Sequence, residues 1–143
     1  MRNQITNGAG RRWLFGALVV AGASILVACG PNASSEFPAI PPGAQLSSWH
    51  SNGAGGRYLL QIERGRALPE GQKLAGVVRT DTDCEPDKNN LNHCRNTIDL
   101  SDGSRIDVID NHEMARHRCL SPGESIILTR FNSNWVIGQV SGS

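Results

Sequence analysis

The chain has 143 residues, with 14 Lys and Arg against 13 Asp and Glu, and a formal charge of +1. That length allows one domain beside a targeting segment. The near balance of charge excludes binding to phosphate backbones driven by a basic surface.

Met1 to Arg12 carries Arg2, Arg11 and Arg12 and no acidic residue, and Trp13 to Ala28 is uncharged and mostly apolar. The run is shorter than the about 20 apolar residues a membrane span needs and suits the h-region of a signal peptide. It ends in Leu26-Val27-Ala28-Cys29. This resembles the lipobox of bacterial lipoproteins, in which a small residue precedes the Cys that is lipidated and becomes the mature N-terminus. The resemblance implies a signal peptide over 1–28 and a diacylglycerol and an amide-linked acyl chain, such as palmitate, on Cys29. Together these exceed the two signals that stable anchoring requires. Gly30, in place of Asp, implies an outer-membrane address facing the periplasm if the cell is Gram-negative. Arg11-Arg12-Trp13-Leu14-Phe15 also resembles part of a twin-arginine export signal. Removing 1–28 takes away three arginines and no acid, leaving 11 basic residues against 13 acidic, near −2. Nucleic acid is therefore not an expected partner.

From Cys29 to Gly56 the chain is rich in Pro, Gly, Ser, Asn and Ala. Such a stretch buries too little to offset chain entropy, so 29–56 reads as a flexible tether, with Trp49 as the one side chain suited to docking on the domain. Residues 57–143 form the folded part, small enough to gain from a covalent staple.

Within it, short apolar runs alternate with turn signals, the pattern of an all-β domain. Tyr58 to Ile62 reads as a strand, Leu68-Pro69-Glu70-Gly71 as a type I turn, and Leu74 to Arg79 as a second strand. A long polar loop follows from Thr80 to about His93. Asn96 to Leu100 and Arg105 to Val108 alternate apolar and polar around Ser101 to Ser104. A two-residue Asp-Gly loop would pair Ile98 with Asp107. A three-residue loop pairs Ile98 with Ile106 and Leu100 with Ser104, and keeps Ile98, Leu100, Ile106 and Val108 on one face, as a buried face demands. It also puts Gly103 at the left-handed position of a G1 bulge. The second register is expected.

Asp110 with Glu113 three residues on resembles a capping box, and Arg116, His117 and Arg118 suit a helix C-terminus, so one or two helical turns are expected over 110–118. Ser121-Pro122-Gly123-Glu124 fits a type II turn. Ser125 to Phe131 and Asn134 to Val140 make a final hairpin. The expected fold is a small all-β barrel, OB-like or SH3-like, of about six short strands with one short helix before the last hairpin. A two-sheet sandwich is the alternative.

With Cys29 lipidated, Cys84, Cys94 and Cys119 remain. An oxidising envelope favours one disulfide and one leftover thiol. Cys84–Cys94 would close the polar loop and stabilise the fold by roughly 2–3 kcal/mol. Cys94–Cys119 is the alternative pairing, because the expected register puts residue 94 opposite Asp110, near Cys119. His93, Cys94, His112, Met114, His117 and Cys119 also crowd together in sequence. These are residue types that copper and zinc prefer, so His93, His112, Met114, His117 and Cys119 are the candidate metal ligands. His112 to His117 is one residue too long for the zincin H-E-x-x-H, since i and i+5 on a helix lie about 140° apart. Asp81, Asp83, Glu85 and Asp87 alternate as in an EF-hand start, but Pro86 and Asn92 stand where Gly and Glu are needed.

No nucleophile elbow, Walker loop or dinucleotide fingerprint occurs. The expected function is a membrane-anchored, non-enzymatic envelope lipoprotein, without a cofactor, whose barrel meets an envelope protein or cell-wall glycan. The alternative is a periplasmic metal-binding lipoprotein that takes copper or zinc.

Overall fold

A computed structural model describes residues 37–141. The signal segment 1–28, Cys29 and the first part of the tether lie outside the described residues. Six strands form a closed barrel: β1 (Arg57–Arg64), β2 (Lys73–Thr82), β3 (Asn92–Leu100), β4 (Arg105–His112), β5 (Ser125–Arg130) and β6 (Trp135–Val140). Their order around the barrel is β1-β4-β3-β2-β5-β6, and every pairing is antiparallel. Each strand has two neighbours, so none leaves an unpaired edge.

The lumen is built from one parity of the sequence. Tyr58, Leu60, Val78, Ile98, Leu100, Ile106, Val108, Ile126, Leu128, Val136 and Val140 are buried in a single cluster. All carry even numbers, because the side-chain period of a strand is two and the hairpins preserve it. So narrow a lumen needs gaps as well as bulk. A Cβ on Gly138 would stand 2.6 Å from Ile126 Cδ1.

The β3–β4 hairpin adopts the three-residue register. Ile98 pairs with Ile106, the Leu100 N–H donates to the Ser104 carbonyl at 2.8 Å, and Gly103 sits at φ +83°. The turn Ser121–Glu124 closes through Glu124 N–H to the Ser121 carbonyl, with Gly123 at φ +89°. The turn before β2 runs one residue later than expected: Gln72 N–H donates to the Pro69 carbonyl.

Two expectations are corrected. No helix forms over 110–118. β4 continues through His112, and Glu113 closes one turn by accepting from Arg116 N–H and His117 N–H. The two polar inward positions, Asp110 and His112, are held by the β3 ladder, which pairs Cys94 with Asp110 and Asn92 with His112. Ladder pairing of these residues outweighs the capping pattern.

The second correction concerns the tether. From Phe37 to Gly56 the chain lies on the barrel. Ala44, Trp49, Leu59, Leu91 and Trp135 are buried together, with Phe37, Ile40, Leu46, Phe131 and Ile137 packed against them. This strap covers the outward, odd-numbered side chains of β1 and β6. Trp49 stacks on Trp135 with ring centroids 5.5 Å apart and donates its indole N–H to the Pro38 carbonyl at 3.0 Å. Two short 3₁₀ turns, Trp49–Ser51 and Ala54–Gly56, lead from the strap into β1.

Candidate functional site

At one end of the lumen the inward positions turn polar. Cys94 and Asn96 on β3 and Asp110 and His112 on β4 are all buried. Asn52, also buried, closes this end from the strap. Its side-chain N–H groups reach the Leu59 carbonyl at 3.1 Å, Asp110 Oδ1 at 3.1 Å and the Asn111 carbonyl at 2.9 Å, and its oxygen accepts from Leu59 N–H at 2.7 Å.

His112 Nδ1 lies 3.1 Å from Asp110 Oδ2, close enough for an ion pair but out of line for a hydrogen bond. Burial pushes the Asp110 carboxyl up, against the opposing pull of His112 and Asn52. Burial also opposes a charge on His112, but the Asp110 carboxylate overrides it and raises the imidazole's pKa. Tyr58, whose ring meets His112 edge-on, is pushed up to about 12 by burial and by Asp110.

Asp81 enters this region through a bulge. Val78 pairs with Ile98 and Thr80 with Thr97, so the register of β2 against β3 slips between them. Beyond the slip, odd residues of β2 turn inward, and Asp81 faces Asn96. Asn96 Nδ2 donates to Asp81 Oδ1 at 3.0 Å and to the Thr80 carbonyl at 3.1 Å.

Cys84 follows in the loop and is joined to Cys94 by a disulfide, the favoured pairing. Asn92 fixes the loop by donating to the Cys84 carbonyl, and its oxygen accepts from Met114 N–H at 3.2 Å. Cys119 is the free thiol, 3.7 Å from Cys94 Sγ. Its backbone is held on both sides. The Tyr58 hydroxyl donates to the Arg118 carbonyl at 2.8 Å, and Leu120 is buried in the lumen. Burial pushes the Cys119 thiol up to about 11, with Asp81 and Asp110 contributing. The ligand atoms of Asp81, Cys84, Cys94 and Cys119 lie within 4.8 Å of one another.

The structure therefore gathers part of the expected cluster and scatters the rest. Cys94 and Cys119 come together. Among the described residues the cluster that gathers includes no histidine. His112 turns to Asp110. His93 stacks on Phe37 with centroids 4.5 Å apart, and its Nδ1 lies 2.6 Å from Asn111 Oδ1. His117 packs close to Gly53, where an added Cβ would stand 2.9 Å from the His117 Cβ. Met114 is 48% exposed. The expected His/Met ligand set is corrected accordingly: strand parity and the 113–117 turn point these side chains to different places.

Of the alternating acids in the loop, Asp81 alone joins the sulfurs. Asp87 instead accepts from Asn89 N–H at 2.8 Å and Leu91 N–H at 2.9 Å. Sequence reasoning missed Asp81 as a partner of the cysteines, missed Asn52 as a buried residue, and read Asp110 as a helix cap rather than a buried inward acid. The sequence offers a signal for Asp110, because the inward parity of Ile106 and Val108 extends to it.

The chain finds no match among protein-family models, curated proteins or solved structures, so its own residues carry the functional reading.

Proposed function

We propose that this chain is an exported lipoprotein, anchored through Cys29, whose strapped barrel serves as a non-enzymatic binding module in the cell envelope. The observation that carries this reading is the Cys84–Cys94 disulfide, a bond that persists in oxidising compartments. It agrees with the address implied by Leu26-Val27-Ala28-Cys29.

An open, mostly apolar depression beside the disulfide supplies the binding face. Cys84, Pro86, Asn90, Met114 and Ala115 line it, and Met114 is the most exposed large apolar side chain among the described residues. An exposed thioether on a cleft between two loops suits adaptable contact with a protein partner.

The test has two arms. Cells fed an alkynyl palmitate should label the wild-type chain and not Cys29→Ala. A photo-crosslinking residue at position 114 should capture an envelope component that the same residue at position 127 does not. An unlabelled wild type removes the anchor, and equal or absent crosslinking at both positions removes the binding face.

A further inference from the structure

We propose that Asp81, Cys84, Cys94 and Cys119 form a site for one zinc ion, filled when the Cys84–Cys94 disulfide is reduced. The proposal goes beyond the binding-module reading and does not depend on Cys29.

The first argument is the odd cysteine. A staple for the 83–91 loop needs two sulfurs, yet a third is held 3.7 Å from Cys94 Sγ. Tetrahedral zinc–thiolate bonds of about 2.3 Å place neighbouring sulfurs about 3.8 Å apart. The Cys94–Cys119 separation already has that value. All four ligand atoms fall within 4.8 Å of one another, in a region whose backbone is fixed from four directions. Cys94 is locked in the β3–β4 ladder, Asp81 follows the β2 bulge, Asn92 holds Cys84, and Tyr58 holds the segment before Cys119.

The second argument is the carboxylate. Asp81 is turned inward by the bulge and held there by the Asn96 amide at 3.0 Å, the arrangement by which outer partners orient a metal ligand. An oxygen beside three sulfurs suits zinc, whereas copper(I) prefers sulfur alone. Charge agrees. Three thiolates and a carboxylate carry four negative charges, and a divalent ion offsets more of them than a monovalent one.

Filling the site takes two balanced steps. A dithiol reductant attacks the Cys84–Cys94 bond, its own two sulfurs become a disulfide, and its two protons end on Cys84 and Cys94. Zinc then binds the three cysteine sulfurs and releases their three protons to solvent, with Asp81 completing the tetrahedron. The oxidised, disulfide-bonded chain lacks two of the four ligands.

The test uses the full chain carrying Cys29→Ser in detergent, so that the barrel's own sulfurs are counted. After reduction with a dithiol and anaerobic desalting, it is titrated with zinc against a chromophoric chelator, and in parallel with cobalt(II). One ion per reduced chain, none in the oxidised chain, and a thiolate-to-cobalt band of three-sulfur intensity are expected. Cys119→Ser and Asp81→Asn should weaken binding by about tenfold or more, and Asn96→Ala by about 10- to 100-fold as an outer partner. His93→Ala and His117→Ala should bind as the wild type does. A reduced, folded wild type that binds no zinc overturns the proposal, as does undiminished affinity in a folded Cys119→Ser. If Cys119→Ser fails to fold, the wild-type cobalt band decides: three sulfurs support the site, and two or fewer overturn it.

Discussion

Asn52 places its side-chain amide 3.1 Å from Asp110 Oδ1, so a residue ahead of the barrel satisfies a carboxylate inside it. The same amide bonds both backbone groups of Leu59. Replacing it removes the donor to Asp110 Oδ1, leaving that acid only its His112 contact, and strips a buried peptide unit of its side-chain partners. Each such loss costs about 1–3 kcal/mol. Asn52→Ala should therefore lower stability by about 2–3 kcal/mol in total, and Tm by roughly 10–20 °C for a domain of this size. Thermal melts of the two proteins check this, and a shift of only about 2 °C would mean that the Asn52 contacts contribute little.

The Asp110–His112 pair makes stability depend on pH in a defined direction. Both groups have folded pKa values raised above their ordinary ones, Asp110 by burial and His112 because the Asp110 carboxylate overrides burial. The native state then holds protons that the unfolded chain releases. Stability from such a group is fully present below its unfolded pKa and lost as pH rises through the folded one. For His112 the decline begins near its ordinary value of 6.5. The slope for one proton is at most about 1.4 kcal/mol per pH unit. Because the two groups titrate as a pair, Asp110→Asn should flatten the decline that wild type shows above that pH. Urea denaturation at several pH values measures it, and equal slopes in both proteins would remove the pair as the cause.

Much of the fold is legible in the residues, and where it is not the reason is physical. The β3–β4 register follows from alternation alone, because Ile98, Leu100, Ile106 and Val108 must share one face. The same parity, carried past Val108, places Asp110 and His112 in the lumen, but polar residues at inward positions break the apolar signal that marks a strand. Their spacing to Glu113 then imitates a helix cap. The bulge between Val78 and Thr80 carries no glycine to announce it, so nothing in the sequence says that Asp81 turns inward. The strap is hidden for another reason. Phe37, Ile40, Leu46 and Trp49 are spread among Pro, Gly and Ser, too sparse for any period, yet they cover the outer faces of Leu59, Trp135 and Ile137.

The sulfur pairing has a direct chemical readout. With Cys84 and Cys94 joined and Cys119 pushed up to about 11 by burial, little reactive thiolate is present in the native protein near neutral pH. Iodoacetamide under native, non-reducing conditions should modify the Cys119 thiol slowly. Adding denaturant should speed it by more than about tenfold, because the unfolded thiol returns to about 8.5 and its larger thiolate fraction outweighs the lower nucleophilicity of a less basic sulfur. A non-reducing peptide map should show Cys119 as the alkylated residue of the three. Alkylated Cys84 with a Cys94–Cys119 cross-link would mean that the alternative pairing prevails.

The strap and the barrel should separate when their shared aromatic contact is removed. Trp49 stacks on Trp135, and its indole N–H anchors the Pro38 carbonyl, so one side chain links two points of the strap to β6. Truncating a buried Trp costs about 3–5 kcal/mol where the site cannot collapse. Here the loss falls on a segment whose internal hydrogen bonds close only short turns, such as Ala44 N–H to the Pro41 carbonyl, Ser51 N–H to the Ser48 carbonyl, Asn52 N–H to the Trp49 carbonyl and Gly56 N–H to the Gly53 carbonyl. In Trp49→Ala the strap should open before the barrel does. Hydrogen exchange should then lose protection at the amides of Ala44, Ser51 and Asn52, while Ile98 and Val108 in the β3–β4 ladder keep theirs. The emission of Trp135 should shift to the red as its ring meets water. Uniform loss of protection in both regions would instead mean that strap and barrel unfold as one unit, with the strap a part of the core rather than a cover over it.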